Sequence, residues 1–152
     1  MRYLFFLAYI IPIFLDAQKN EGSGIAPGLS AVLAEETGFN IRLHYFPSHK
    51  MCFGVETNFF PKTEMDLKND MEITFNGHFI FELGEHWGIY PLVGAGWKKT
   101  KEDSGWRALT GGGFHGKYGI FQPYIEYIYN TGFKSEGAFI IGTFLTLEFK
   151  KE

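Results

Sequence analysis

The chain has 152 residues and a formal net charge of −3, with 45% hydrophobic, 20% charged and 18% aromatic residues. That many aromatics exclude a disordered chain, and a single cysteine, Cys52, excludes a disulfide scaffold. The charge balance carries no basic footprint for nucleic acid, and the mean hydropathy of −0.08 excludes a bundle of membrane helices but not a membrane β-barrel, whose alternating strands average near zero.

The first element is an apolar run from Tyr3 to Leu15, behind Arg2 and ahead of Leu15-Asp16-Ala17. One positive charge, an apolar core and a small residue at the cut form a secretory signal pattern. The run is too short to cross a bilayer of about 30 Å as a helix. Cleavage is expected after Ala17, which gives a signal peptide of residues 1–17 and a single domain of residues 18–152. No cysteine sits just after the cut, so a lipidated N-terminus is not expected.

Beyond residue 22 apolar residues recur every second position. Eight strands are predicted, at 23–35, 38–46, 51–60, 71–83, 87–98, 105–116, 120–130 and 138–149. In the second, Phe39, Ile41, Leu43 and Tyr45 oppose Asn40, Arg42, His44 and Phe46. In the fourth, Met71, Ile73, Phe75, Gly77, Phe79, Phe81 and Leu83 oppose Glu72, Thr74, Asn76, His78, Ile80 and Glu82. In the eighth, Phe139, Ile141, Thr143, Leu145, Leu147 and Phe149 share a face. Turn residues or charge runs fill the breaks, and no segment is left for a crossover helix. Successive strands are therefore antiparallel, and closure into an up-and-down barrel removes the unpaired edges.

Such a barrel faces either way, and the less apolar face decides between a soluble calyx and a membrane barrel. All eleven lysines fall at termini, connections or strand ends. A water-facing sheet carries lysine and glutamate along its strands. The mid-strand charges are instead few, mixed in sign and include Arg42 and Arg107, the residue type suited to buried pairs. Large rings on the apolar face gather at strand ends, with Phe39, Phe59, Trp97, Trp106, Tyr129 and Phe139 at one end and Tyr45, Phe53, Phe81, Trp87 and Phe149 at the other. Membrane barrels place rings at both interfaces. With the N-terminus periplasmic, three outer connections (Pro61 to Asp70, Lys99 to Ser104, Thr131 to Gly137) are expected to be longer than the inner turns.

The expected interior is a structural polar network of Arg42, His44, Glu56, Glu72, His78, Arg107 and Glu126. The segment Pro91-Leu92-Val93-Gly94-Ala95-Gly96-Trp97 and the last strand, with Gly142, Leu145, Leu147 and Phe149, resemble the small eight-stranded outer-membrane barrels of Gram-negative bacteria, the OmpA- and OmpX-type barrels and the wider porin family. The chain departs from that pattern at Ile140 and by continuing past Phe149 with Lys150-Lys151-Glu152. The resemblance implies an all-β, eight-stranded antiparallel transmembrane barrel of the outer membrane, with lipid and lipopolysaccharide around it. It also implies a last strand read by the barrel-assembly machinery.

No catalytic, cofactor or metal signature appears. The five histidines lack i, i+4 spacing, although His44 and His78 could share the lumen with Glu56 or Glu72. A His-x-Ser element of the kind found in lipid A deacylases is absent around His78 and His115, and Ser48-His49 falls in an inner turn. Gly111-Gly112-Gly113 opens no helix and fits close strand packing, and Cys52 reads as an inert thiol. The leading expectation is an outer-membrane barrel with a filled lumen and a structural or loop-mediated binding role. Its contact surface would be Lys62 to Asp70 and Lys98 to Asp103. The alternatives are a soluble calyx for a hydrophobic ligand and a lipid-modifying enzyme. The calyx requires Glu72, Thr74, Asn76 and His78 to point outward.

Overall fold

In the computed structural model, residues 23–61 and 70–149 are described. The expected signal peptide, the segment from Lys62 to Asn69 and the tail Lys150 to Glu152 lie outside them. The strands are β1 Gly24–Leu33, β2 Thr37–Ser48, β3 Met51–Phe60, β4 Asp70–Phe79, β5 Trp87–Lys99, β6 Ser104–Gly116, β7 Phe121–Gly132 and β8 Glu136–Leu145. Phe81–Glu82 prolongs β4 alongside β5, and Leu147–Glu148 prolongs β8 alongside β1.

Every strand pairs antiparallel with its sequence neighbour, and β1 pairs with β8 from Gly28↔Phe144 to Leu33↔Phe139. The sheet thus closes into an eight-stranded up-and-down barrel with no open edge. The seam ladder is interrupted near Thr146, where Pro27 brings no N–H, and resumes at Ile25↔Leu147.

Side chains alternate across the wall. Leu29, Ile41, Leu43, Phe75, Val93, Ile125 and Ile141 are exposed on the outer face. Glu72, Thr74, Asn76 and His78 are 0–6% exposed and point into the barrel, the opposite of what a soluble calyx requires. Rings rim the outer face at both ends. Phe39 stacks on Phe59 at 4.9 Å and Trp97 meets Trp106 edge-on at 5.3 Å at one end, while Trp87 stacks on Phe114 at 5.1 Å at the other. An apolar surface bounded by two aromatic girdles is the exterior of a transmembrane barrel. Among the described residues no helix is long and apolar enough to cross a membrane, so crossing falls to the strands.

Strand ends differ from the sequence expectation for definable reasons. β2 runs on through Pro47 to Ser48, with a register shift between Tyr45 and Ser48 where proline has no donor for the ladder. The turn narrows to His49 and Lys50. At the opposite end β5 to β8 extend further than expected, so two of the three connections expected to be long shrink to residues 100–103 and 133–135. The first is pinned by Thr100, whose N–H and hydroxyl both donate to the Asp103 carbonyl at 2.8 and 3.0 Å. The second turns on Gly132 at φ 99° and Lys134 at φ 49°. Only the connection between Phe60 and Asp70 keeps the expected length. That end is called the loop end below, and the end with His49-Lys50 is called the turn end.

Candidate functional site

The interior is the part of this barrel with chemistry. Inward positions on all eight strands supply it, because the two-residue period that sends Ile41 and Leu43 outward sends Asn40, Arg42 and His44 inward. Glycines make room for the larger groups. A Cβ at Gly54 would collide with the His44 ring and with Asn76 Oδ1 at 2.5 Å, and one at Gly111 would strike the Tyr127 carbonyl.

At mid-height Arg42, a register partner of Glu56, lies 3.0 Å from that carboxylate. Its guanidinium also reaches across the lumen to Glu126 through two bonds of 3.3 and 3.4 Å. Its Nε donates to Asn40 Oδ1 at 2.8 Å, and its plane lies 4.8 Å above the Tyr124 ring. Tyr90 donates to Glu126 at 3.0 Å, and Asn76 donates to Glu56 at 2.7 Å. His44 Nε2 lies 3.2 Å from Glu56, and His78 Nε2 lies 3.0 Å from Asn76 Oδ1. All these groups are buried.

Towards the loop end, Asn58 takes a bond from Asn40 at 2.6 Å and donates to Glu72 at 3.2 Å. Arg107 Nη1 lies 3.2 Å from Glu72 and 2.9 Å from Glu136, while its Nη2 donates to the Lys134 carbonyl at 3.0 Å. Lys98 lies 2.5 Å from Glu136 and 4.9 Å from the Phe60 ring centroid. Polar contact therefore runs from His78 near the turn end to the 133–135 connection.

The structure places all seven residues singled out from sequence inside the barrel. It brings Arg42, Glu56, Glu126 and His44 into direct contact, and it joins His78 through Asn76, Glu72 through Asn58, and Arg107 through Glu72. Sequence reasoning missed Asn40, Asn58, Asn76, Tyr90, Lys98 and Glu136 as members. Asn40 and Asn76 stood on the less apolar face, which was the available signal. Lys98 was expected in an exposed contact surface; it is 5% exposed and turned inward.

No family model and no curated protein sequence matches the chain. Solved structures do. The N-terminal β-barrel domain of Pseudomonas aeruginosa OprF is similar with a TM-score of 0.68 at 12% identity, over 84% of this chain and 98% of that one. The Yersinia pestis attachment invasion locus protein Ail is similar with a TM-score of 0.56 at 18% identity, over 84% and 100%. Neisserial surface protein A follows with a TM-score of 0.53 at 11% identity, over 85% and 98%. At these identities the likeness is one of fold: the chain has the small eight-stranded transmembrane barrel fold seen in these bacterial proteins.

Proposed function

We propose that the protein is an exported outer-membrane barrel whose own side chains close its lumen, and that it acts as a structural element and a support for contacts at the loop end. The carrying observation is the inverted polarity of the wall, with Phe75, Val93 and Leu29 outside and Arg42, Glu56 and Glu126 bonded together inside. An eight-stranded barrel is just wide enough for side chains to fill. The Arg42–Glu126 contact lies across the path that a solute would take.

In this reading the outer girdles meet lipid and lipopolysaccharide, the turn end faces the periplasm, and the barrel-assembly machinery receives β8. The contact surface is the one expected from Lys62 to Asp70 and Lys98 to Asp103, in which Lys99, Lys101, Glu102 and Asp103 are exposed whereas Asp70 and Lys98 are buried. A contact role has a parallel in Ail, the attachment invasion locus protein of Yersinia pestis.

Heat-modifiable gel migration after membrane extraction, followed by planar-bilayer recording, tests the proposal. The expected result is a folded form in the membrane fraction that adds no steady conductance. Recovery of all the protein in the soluble periplasm overturns the location, and a stable ion current overturns the closed lumen.

A further inference from the structure

We infer that His44, Cys52 and His78 form a zinc site on the lumenal wall towards the turn end. The three residues stand on adjacent strands: Cys52 on β3 is the register partner of His78 on β4, and His44 on β2 is the partner of Gly54, two residues beyond Cys52. One ligand atom from each lies within 4.8 Å of the other two. A tetrahedral zinc with bonds of about 2.0–2.3 Å holds its ligand atoms about 3.5 Å apart, so small rotations of the side chains complete the site.

Three observations point to a cation. The thiol is 1% exposed and, among the described residues, has neither a disulfide nor a hydrogen-bond partner. Both imidazoles already have the outer support that metal-binding histidines use: His44 Nε2 faces the Glu56 carboxylate and His78 Nε2 faces the Asn76 amide oxygen. These contacts orient the rings, and in the proposed site the ion takes Nδ1 of each. Thirdly, the neighbouring charges are unequal. At mid-height two carboxyl groups, Glu56 and Glu126, share one guanidinium, Arg42, whereas at the loop end Glu72 and Glu136 face both Arg107 and Lys98. Zinc bound to one thiolate and two neutral imidazoles carries one net positive charge, and Glu56, 3.2 Å from His44 Nε2, is the carboxylate that faces it.

Binding forms one zinc–sulfur and two zinc–nitrogen bonds and releases the thiol proton to solvent. Two nitrogens and one sulfur suit zinc and leave a fourth corner for water. The motif has no linear spacing because each ligand comes from a different strand. The ion would link β2, β3 and β4 beside Phe46, whose ring centroid lies 6.4 Å from that of His44.

The test uses the protein without a polyhistidine tag, extracted in mild detergent and kept reduced, with cobalt(II) as the optical probe. One equivalent is expected to give a thiolate-to-cobalt charge-transfer band that zinc abolishes by displacement. Cys52→Ser removes the band, His78→Gln weakens zinc binding by about tenfold or more, and His115→Gln leaves it unchanged. Zinc also raises the temperature at which wild-type protein loses its folded gel form, and does not do so for Cys52→Ser. Cys52→Ala, which adds no polar group, replaces the serine variant if that variant does not fold. Folded, reduced wild type without the band overturns the site, as does a band that persists when Cys52 is gone.

Discussion

Arg42 and Glu126, 84 positions apart in sequence, form a two-pronged contact across the lumen, with both side chains fully buried. β2 and β7 are not neighbours in the sheet, so this contact links opposite walls instead of reinforcing a ladder. Removing two charges from water is costly, and the attraction offsets that cost only when the remaining polar atoms are satisfied. Here Asn40 takes the guanidinium Nε–H, and Tyr90 and Asn76 donate to the two carboxylates.

Arg42→Met keeps most of the side-chain volume but leaves Glu56 and Glu126 without their shared cation. The expected loss is about 3–5 kcal/mol of folding free energy, the usual result of removing one partner from a buried pair. Arg42→Lys restores little, because an ammonium cannot present the fork that bridges two carboxylates. Urea unfolding in lipid vesicles, read by heat-modifiable migration, measures both. A wild-type midpoint for Arg42→Met would show that the contact contributes nothing.

Much of this was legible in the sequence. The alternation of Met71 to Leu83 and the absence of lysine from mid-strand positions fixed which face meets lipid, because a solvated wall cannot do without charges along its strands. Arg42, Glu56 and Glu126 could be named because ionised groups on that inward face have few partners besides one another. The pairing itself was not legible. Register and curvature bring β2 opposite β7, and alternation carries no information about that. Lys98 was misread for a different reason. A lysine next to a connection resembles a solvated end, yet its long stem lets it run inward along Phe60 to Glu136. Asn58 was overlooked because its role is to join Asn40 to Glu72 across three strands, and that link exists only once the register is known.

Gly111, one of three consecutive glycines, holds β6 close to β7. An added Cβ there meets the Tyr127 carbonyl oxygen and comes within 3.0 Å of Ile128 Cα, both backbone atoms with little freedom to move. Gly111→Ala is expected to cost about 1–3 kcal/mol, the range for overpacking. Gly77 is the control. Its Cβ would lie 3.7 Å from the Phe53 ring, an ordinary contact on the lipid face, so Gly77→Ala is neutral or stabilising by up to about 1 kcal/mol. Side-by-side unfolding midpoints check the contrast, and equal midpoints would refute it.

Phe75 sits mid-strand on the outer face, between Val55 and Ala95, and is 59% exposed. Phe75→Arg places a charge near the middle of the apolar band and is expected to cost about 2–4 kcal/mol in a bilayer. Trp106, in the girdle at the loop end, is even more exposed, yet Trp106→Arg costs only about 0–1 kcal/mol because the charge reaches the interface. The ordering is specific to lipid. A water-facing wall would tolerate both arginines equally, so unfolding of the two variants in vesicles separates a membrane barrel from a soluble one.

Glu136 at the loop end receives two cations on one oxygen, Lys98 at 2.5 Å and Arg107 at 2.9 Å. The two are not equivalent. Arg107 also lies 3.2 Å from Glu72 and donates to the Lys134 carbonyl, so its loss strands the Glu72 carboxylate, leaves Glu136 with Lys98 alone and frees the 133–135 connection. Lys98 forms its ion pair with Glu136, and Met at that position keeps the packing against Phe60. Arg107→Met is therefore expected to cost about 3–5 kcal/mol, whereas Lys98→Met, which leaves Glu136 with Arg107, costs about 1–2 kcal/mol. Because Arg107 also anchors a connection, its variant should be cut by trypsin near Lys134 under conditions that leave the Lys98 variant intact. If Lys98→Met proved the more damaging change, the loop-end cluster would be organised around the ammonium and not around the guanidinium.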